Sequence, residues 1–326
     1  MRKAGRVMMR ALVAPDWELN DLWAQLQKVI DLELWTIPYY MAAMYSIKDP
    51  ASRDYCTLLD VVHQEMLHVQ LVANIANSFG LQPKFAAPSY GQTVPHIDFA
   101  LDEPNPTSTY TPFCAAIGAL DTERLNTMCL IEYPDWNTRR QPDLRPGQER
   151  YGSIAECYAA LREGMRQHQQ RVRGGVNQVD EFRFYYGQLA GMTVTFDGPD
   201  GYRQAVGLID VIIDQGEGES RGDTPVAPRH RNTADGFDES WSHFKKFSTI
   251  RAAGTLPDAY RGVPDPPVGS PGAQAQARLV RHFAAFLGTL ESLFAGADSS
   301  NFGPMMAQIG GDILTCWQRG AVPRFS

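Results

Sequence analysis

The sequence predicts an all-α fold: a helical bundle with long crossover loops and extra helices towards its C-terminal end. Three observations predict it. Apolar residues recur at helical spacing over long stretches, in Leu22, Leu26, Val29, Ile30 and Ile37 and again in Leu58, Val61, Val62, Val69, Val72 and Phe79. Few segments show the alternation expected of strands. Acids and a histidine interrupt both stripes, Glu33 in the first and Glu65 and His68 in the second. A carboxylate taken out of water without a partner costs several kcal/mol or shifts its pKa, so these stripes predict a cation held between two helices.

Taken in order, the first helix is expected from about Asn20 to Ser46, capped by Asn20 or Asp21, with a kink or break at Pro38 just after Glu33. Asp49-Pro50 turns the chain into a second helix from about Ser52 to Ser78, with Gly80 as its C-cap, antiparallel to the first. Residues Leu81 to Pro112 are rich in Pro, Ser, Thr and Asn and read as a crossover. A helix from about Asp121 to Glu132 ends at Pro134, and Ser153 to Glu156 reads as a capping box opening a helix to about Arg173. Phe182 to Phe196 is aromatic and β-branched, a short strand or a packed loop. Helices follow at about Tyr202 to Gln215 and Glu239 to Ile250, separated by a loop rich in glycine and charge. A Pro/Gly-rich loop at 254–272 precedes two closing helices, Arg278 to Phe294 and Pro304 to Trp317. The whole chain, 1–326, reads as a single domain: a core bundle at about 20–250 and C-terminal helices at 276–320 packing back on it.

Composition narrows the function. The net charge of −7 is spread without blocks, which excludes a basic footprint for nucleic acid or anionic lipid. No run of about 20 apolar residues is present, so no membrane span is expected. The apolar stretch at Met1 to Val13 is broken by Arg10 and does not read as a signal peptide. The five cysteines, Cys56, Cys114, Cys129, Cys157 and Cys316, contain no CxxC pair and read as reduced thiols of a cytoplasmic protein.

Glu65 and His68, at i and i+3, share one helix face, and Glu33 stands on the preceding helix. A Glu-x-x-His on one helix with a Glu on its neighbour is the ligand pattern of carboxylate-bridged di-iron and di-manganese bundles. Alone, the four-residue pattern is common and equally describes a satisfied buried pair. His63 precedes it in a run like the zinc-protease HExxH with one residue inserted, and the insertion breaks the i, i+4 geometry that motif needs. A second Glu-x-x-His is absent C-terminal to His68. Scattered residues remain: Glu132 at a helix end, Glu217 and Glu219 after the Ile-rich helix, Glu239, and His243 among Trp241, Phe244 and Phe247. Each of these, read alone, is a structural residue. Glu156 faces away from its helix's apolar stripe and reads as a solvated capping residue.

The run from Asp31 to Tyr40 resembles the first helix of the ferritin-like domain of iminophenyl-pyruvate dimer synthases. Gln64-Glu65-Met66-Leu67-His68 with Asn74 and Gly80 is similar to that family's second helix. Ile131-Glu132-Tyr133-Pro134, Gln215-Gly216-Glu217-Gly218 and Ser242-His243-Phe244-Lys245-Lys246-Phe247 resemble three further elements, in the same order, over roughly residues 20 to 250. The resemblance implies a ferritin-like bundle with two non-haem iron ions, manganese being served by the same ligands. It implies Glu33, Glu65, His68, Glu132, Glu217 and His243 as the metal ligands. The second half-site is not a single Glu-x-x-His, which leaves Glu156, Glu219 and Glu239 open as its completing residue.

The expected function is therefore a dinuclear iron oxidoreductase that uses O₂ to oxidise a small, amino-acid-derived molecule, with His63, Gln64, Tyr39, Tyr40 and Tyr158 as candidates to surround the centre or its pocket, and core packing as the expected role of each tyrosine. The dimerisation reaction that names the family does not transfer outright, because this chain holds little beyond the bundle. Two other readings stand beside it: a ferritin-like protein that only binds metal, and a metal-free bundle serving as an interaction scaffold. A homo-oligomer is compatible with each.

Overall fold

The structure, a computed structural model, describes residues 15–91, 93–187, 189, 191–218, 225–231, 241–298 and 300–326. Glu219 and Glu239, and the segment Met1 to Val13, lie outside the described residues. Among the described residues there are α-helices and short 3-10 turns, and β-pairing is confined to isolated bridges such as Ile47 with Ala259.

Helix α1 (Leu19–Ser46) and helix α2 (Arg53–Ser78) form the centre of the bundle. They run antiparallel: Trp23 near the start of α1 donates to the Phe79 carbonyl at the end of α2, and Tyr45 meets Tyr55 edge-on at the opposite end. The α1 cap is Glu18 rather than Asn20 or Asp21. Its side chain and that of Asp21 exchange hydrogen bonds with each other's backbone, satisfying two of the helix's orphan donors. The helix continues through Pro38 without a break. Proline there forfeits one backbone hydrogen bond, but the flanking turns are fixed by packing, with Trp35 stacked on Tyr39 at 4.9 Å. Ser52 caps α2, and Gly80 (φ +81°) takes the left-handed conformation that lets the chain leave it.

Helix α3 (Thr122–Ile131) starts on the Asp121 cap and stops ahead of Pro134. Helix α4 (Ile154–Gln167) is shorter than its apolar pattern predicts and gives way to a 3-10 turn at Gln169–Arg171. Helix α5 (Gly198–Gly216) and helix α6 (His243–Ala253) complete the set around the centre, with α6 starting at the Ser242 cap rather than at Glu239. Helix α7 (Pro271–Leu293) and helix α8 (Phe302–Gln318) form a C-terminal pair. The pair rests on the bundle through Trp317, whose indole nitrogen donates to the Ala42 carbonyl of α1. No described helix is long and apolar enough to cross a membrane, and all five cysteines are free.

The described residues of the aromatic segment at 182–196 form a loop and no strand, with Phe182, Tyr186, Met192 and Val194 buried and Phe184 and Phe196 exposed. Side chains of α2 bond the backbone of the segment and of the residues leading into it. Asn74 donates to the carbonyls of Val179 and Met192 at 2.7 and 2.8 Å and accepts from the Val179 amide, while Gln70 accepts from the amide of Glu181. Leaving a buried backbone group unsatisfied costs about 1–3 kcal/mol. Asn74→Ala is therefore expected to lower stability by about 2–4 kcal/mol in denaturant unfolding, allowing for partial relaxation. It should also speed proteolysis selectively within this loop.

Candidate metal centre

Five of the six residues expected to ligate come together in the bundle interior as two groups that share a member. Glu33, Glu65 and His68 form one group; Glu65, Glu132 and His243 form the other, and all five residues are buried. Glu33 comes from the middle of α1, Glu65 and His68 from one face of α2. Glu132 is the C-cap of α3, and His243 is the first residue of α6. Because the second half-site is built from a helix end and a helix start, no repeated Glu-x-x-His marks it in the sequence.

The two half-sites are arranged alike. His68 presents Nδ1 to Glu33 Oε2 at 3.4 Å and to Glu65 Oε2 at 3.8 Å. His243 presents Nδ1 to Glu65 Oε1 at 2.8 Å and to Glu132 Oε2 at 3.7 Å. On the far side of each ring, Nε2 meets a glutamine oxygen at 2.9 Å, Gln215 for His68 and Gln64 for His243. The amide orientations are fixed in turn: Gln215 donates to the His230 carbonyl, and Gln64 accepts from Lys246. Each Nε2 must therefore carry the proton, leaving the Nδ1 lone pair aimed at the carboxylates. Each terminal carboxylate also receives a phenol: Tyr158 donates to Glu33 at 2.6 Å and Tyr40 to Glu132 at 2.7 Å. Burial and then the adjacent carboxylate push both phenols well above the ordinary tyrosine range, which keeps them donors. Tyr39 instead donates to the Cys114 carbonyl, and His63 lies against Tyr185, so neither touches the centre.

This donor set fits a pair of divalent cations. His243 Nδ1 is buried and has no hydrogen-bond partner. Three carboxylates stand within reach of two imidazoles whose lone pairs face them, an arrangement that repels itself unless cations or protons lie between. The electrostatics carry the same mark. Burial, then the charge of Glu132, holds Glu65 well above the usual carboxylate range. Burial works to raise Glu132 as well, but His243 and Tyr40 outweigh it and hold that carboxyl low. Burial opposes protonation of His68, and Glu33 with Glu65 more than offset it, so that ring is pushed up. Gly216 leaves room at the centre, since a Cβ there would stand 3.0 Å from Glu132 Oε2. A small cavity of about 20 Å³ lies against Glu33, Glu65, His68 and Glu132, walled otherwise by Ile154, Tyr158, Ile212, Ile213, Gly216 and Glu217.

Glu217 belongs to that wall and to neither ligand group. Its two oxygens accept from the backbone amides of Asp135 and Ala155 at 2.8 and 2.9 Å. It thus serves the first turn of α4, whose early amides have no partner within the helix. Burial pushes its carboxyl well up, with the two amides pulling the other way. Glu156 is likewise different from its sequence reading. It is buried, pairs with Arg140 at 2.9 Å and accepts from the amides of Gly152 and Asp143, so it lies in a structural ion pair and not in solvent. Thr36, Asp60 and Lys246 contribute to the centre's surroundings and went unmarked in the sequence. The available signals were spacing: Thr36 follows Glu33, and Lys246 follows His243, by three residues along their helices.

A bundle of helices carrying two carboxylate-and-imidazole groups around a shared glutamate is the architecture of the ferritin-like carboxylate proteins. A family model described as Ferritin-like matches residues 26–252, and the chain belongs to that family. It is similar to a solved structure, the crystal structure of a ferritin-like protein from Caulobacter vibrioides, at 50% sequence identity and a TM-score of 0.86. That match covers 96% of this chain and 100% of that one. No protein of curated function matches.

Proposed function

We propose that the chain is a non-haem dinuclear iron oxidoreductase that uses O₂ to oxidise a small, amino-acid-derived substrate in a biosynthetic pathway. The observation that carries this is the pair of ligand groups sharing Glu65, with His243 Nδ1 inside one of them facing two carboxylates without a hydrogen bond to either. Glu33 and His68 would hold one ion and Glu132 and His243 the other, with Glu65 between them. Glu217, whose oxygens are taken by backbone amides, is assigned to the support of α4. Hard carboxylate oxygens with imidazole suit iron, and manganese fits the same donors. When bound, such a pair supplies the electrons that reduce O₂ while the substrate is oxidised.

The chain's own residues prepare that chemistry. Gln215 and Gln64 lock the two rings with Nδ1 facing inward. Tyr158 and Tyr40 orient the terminal carboxylates through their hydrogen bonds. Ile154, Ile212 and Ile213 give the small adjoining cavity apolar walls, which limits water beside the centre. The sequence likeness to iminophenyl-pyruvate dimer synthases supports an oxidised amino-acid derivative as the substrate class. The free thiols support a cytoplasmic setting.

The test is the metal content of anaerobically iron-loaded protein, followed by absorbance on exposure to O₂. About two irons per chain with a transient visible band is the expected result. Metal bound without any O₂-dependent change would reduce the chain to a metal-binding bundle, and no stoichiometric metal would leave a scaffold.

A further inference from the structure

The two half-sites match in their ligands but not in what stands behind them. Behind His68, the Gln215 amide accepts from the ring and donates onward to the His230 carbonyl. Accepting at one end and donating at the other is a chain in which each bond strengthens the next. Behind His243, the Gln64 oxygen accepts twice, from the ring at 2.9 Å and from the Lys246 ammonium at 3.2 Å. Two donors on one oxygen compete, and one of them is a cation. Lys246 is buried to 3% exposure and is held in place by an ion pair with Asp60, which neutralises part of its charge. Within that pair it is the ammonium that bonds Gln64, on the same oxygen as the ring.

An imidazole whose distal N–H is accepted strongly is a better donor at its other nitrogen. A positive charge close by in a dry interior also disfavours a second cation. One feature acts the other way. Thr36 donates at 2.7 Å to Glu65 Oε2, the oxygen on the His68 side. That donor is a neutral hydroxyl that also faces the Glu33 carbonyl, and it is weaker than an ammonium.

Resting on the dinuclear reading above, we propose that the centre is built to load unequally: Glu33–His68 takes its divalent cation first, and Lys246 acts as a positioning residue that weakens the Glu132–His243 half. A reversible second ion follows from this arrangement, so that the chain passes through a one-metal form.

The experiment is a calorimetric titration of the metal-free full chain with Mn(II) alone, and with Co(II) alone to follow ligation by absorption. The wild type is expected to show two steps separated by at least about tenfold in affinity, the scale on which such supporting residues act. The double variant Asp60→Asn/Lys246→Gln removes both charges and keeps an amide donor facing Gln64. It should tighten the weaker step about tenfold and leave the tighter one unchanged. Gln64→Glu, which gives His243 a carboxylate partner and Lys246 a counter-charge, should do the same. It serves as the independent check should the double variant not fold. Two indistinguishable steps in the wild type, or a change confined to the tighter step in the variants, would overturn the inference while leaving the dinuclear reading intact. No binding of either metal by the wild type would remove both.

Discussion

Glu65→Gln abolishes metal binding and at the same time stabilises the metal-free protein: this is the largest effect expected from a single substitution. Glu65 is the one residue common to both ligand groups, so its loss dismantles both half-sites at once. Metal should therefore stabilise the wild type and not the variant. For a ligand present at about 1,000 times its dissociation constant the linkage is about 4 kcal/mol, and the variant should gain none of it. In the absence of metal the order reverses. The folded state holds Glu65 well above its ordinary range, through burial and then the charge of Glu132. A carboxyl raised on folding costs nothing below its unfolded pKa, where both states keep the proton. It costs progressively more as pH climbs from there towards the folded value. The advantage of Glu65→Gln over the wild type should thus be absent in acid and grow as pH rises from about 4.5. Chemical unfolding of both proteins with and without Mn(II), across that range, checks the whole pattern. A metal-free variant less stable than the wild type at neutral pH would show that the carboxylate is structural.

Glu217→Ala is expected to do the opposite: to destabilise the fold and spare the metal. The side chain is 4% exposed and occupies two backbone donors, the amides of Asp135 and Ala155. Each buried donor left without a partner costs about 1–3 kcal/mol, so a loss of about 2–5 kcal/mol is expected. Metal stoichiometry should remain that of the wild type. Glu217→Gln, which keeps one acceptor oxygen, should recover part of the stability. A variant that folds with wild-type stability but binds one metal fewer would return Glu217 to the ligand set that the sequence likeness implies.

These two glutamates show where sequence reading succeeds and where it stops. Glu65 announces itself because it interrupts an apolar helical stripe, and the i, i+3 spacing to His68 fixes both on one face whatever the rest of the chain does. Glu33 is placed by the same logic one helix earlier. Glu132 and His243 carry no such signature: each stands at the end of its own helix, where no stripe defines a direction. Only the packing of α3 and α6 against the α1–α2 pair brings them together beside Glu65, across from Glu33 and His68. Family likeness found them; local periodicity could not. Glu217 marks the converse case. It sits in a motif that resembles one of the iminophenyl-pyruvate dimer synthases and lines the same cavity, yet its oxygens are taken by the amides of Asp135 and of Ala155 in the first turn of α4, contacts with no trace in the local sequence.

The same division holds for the fold. Helical periodicity, caps and breakers determined the all-α class, the antiparallel α1–α2 pair, and the positions of most helices, because those depend on contacts within a few residues. Local signals misplaced the end of α4, left the 182–196 segment undecided between strand and loop, and predicted a break at Pro38. Side-chain contacts decided the last two: Asn74 bonds the Met192 carbonyl that a strand neighbour would have bonded, and the packing of Trp35 on Tyr39 carries α1 past its proline. The sequence by itself determined that buried acids and a histidine would face each other across two helices. Only the tertiary structure decided that a second carboxylate and imidazole would meet them, and which glutamine backs each ring. Both depend on the relative placement of helices far apart in the chain.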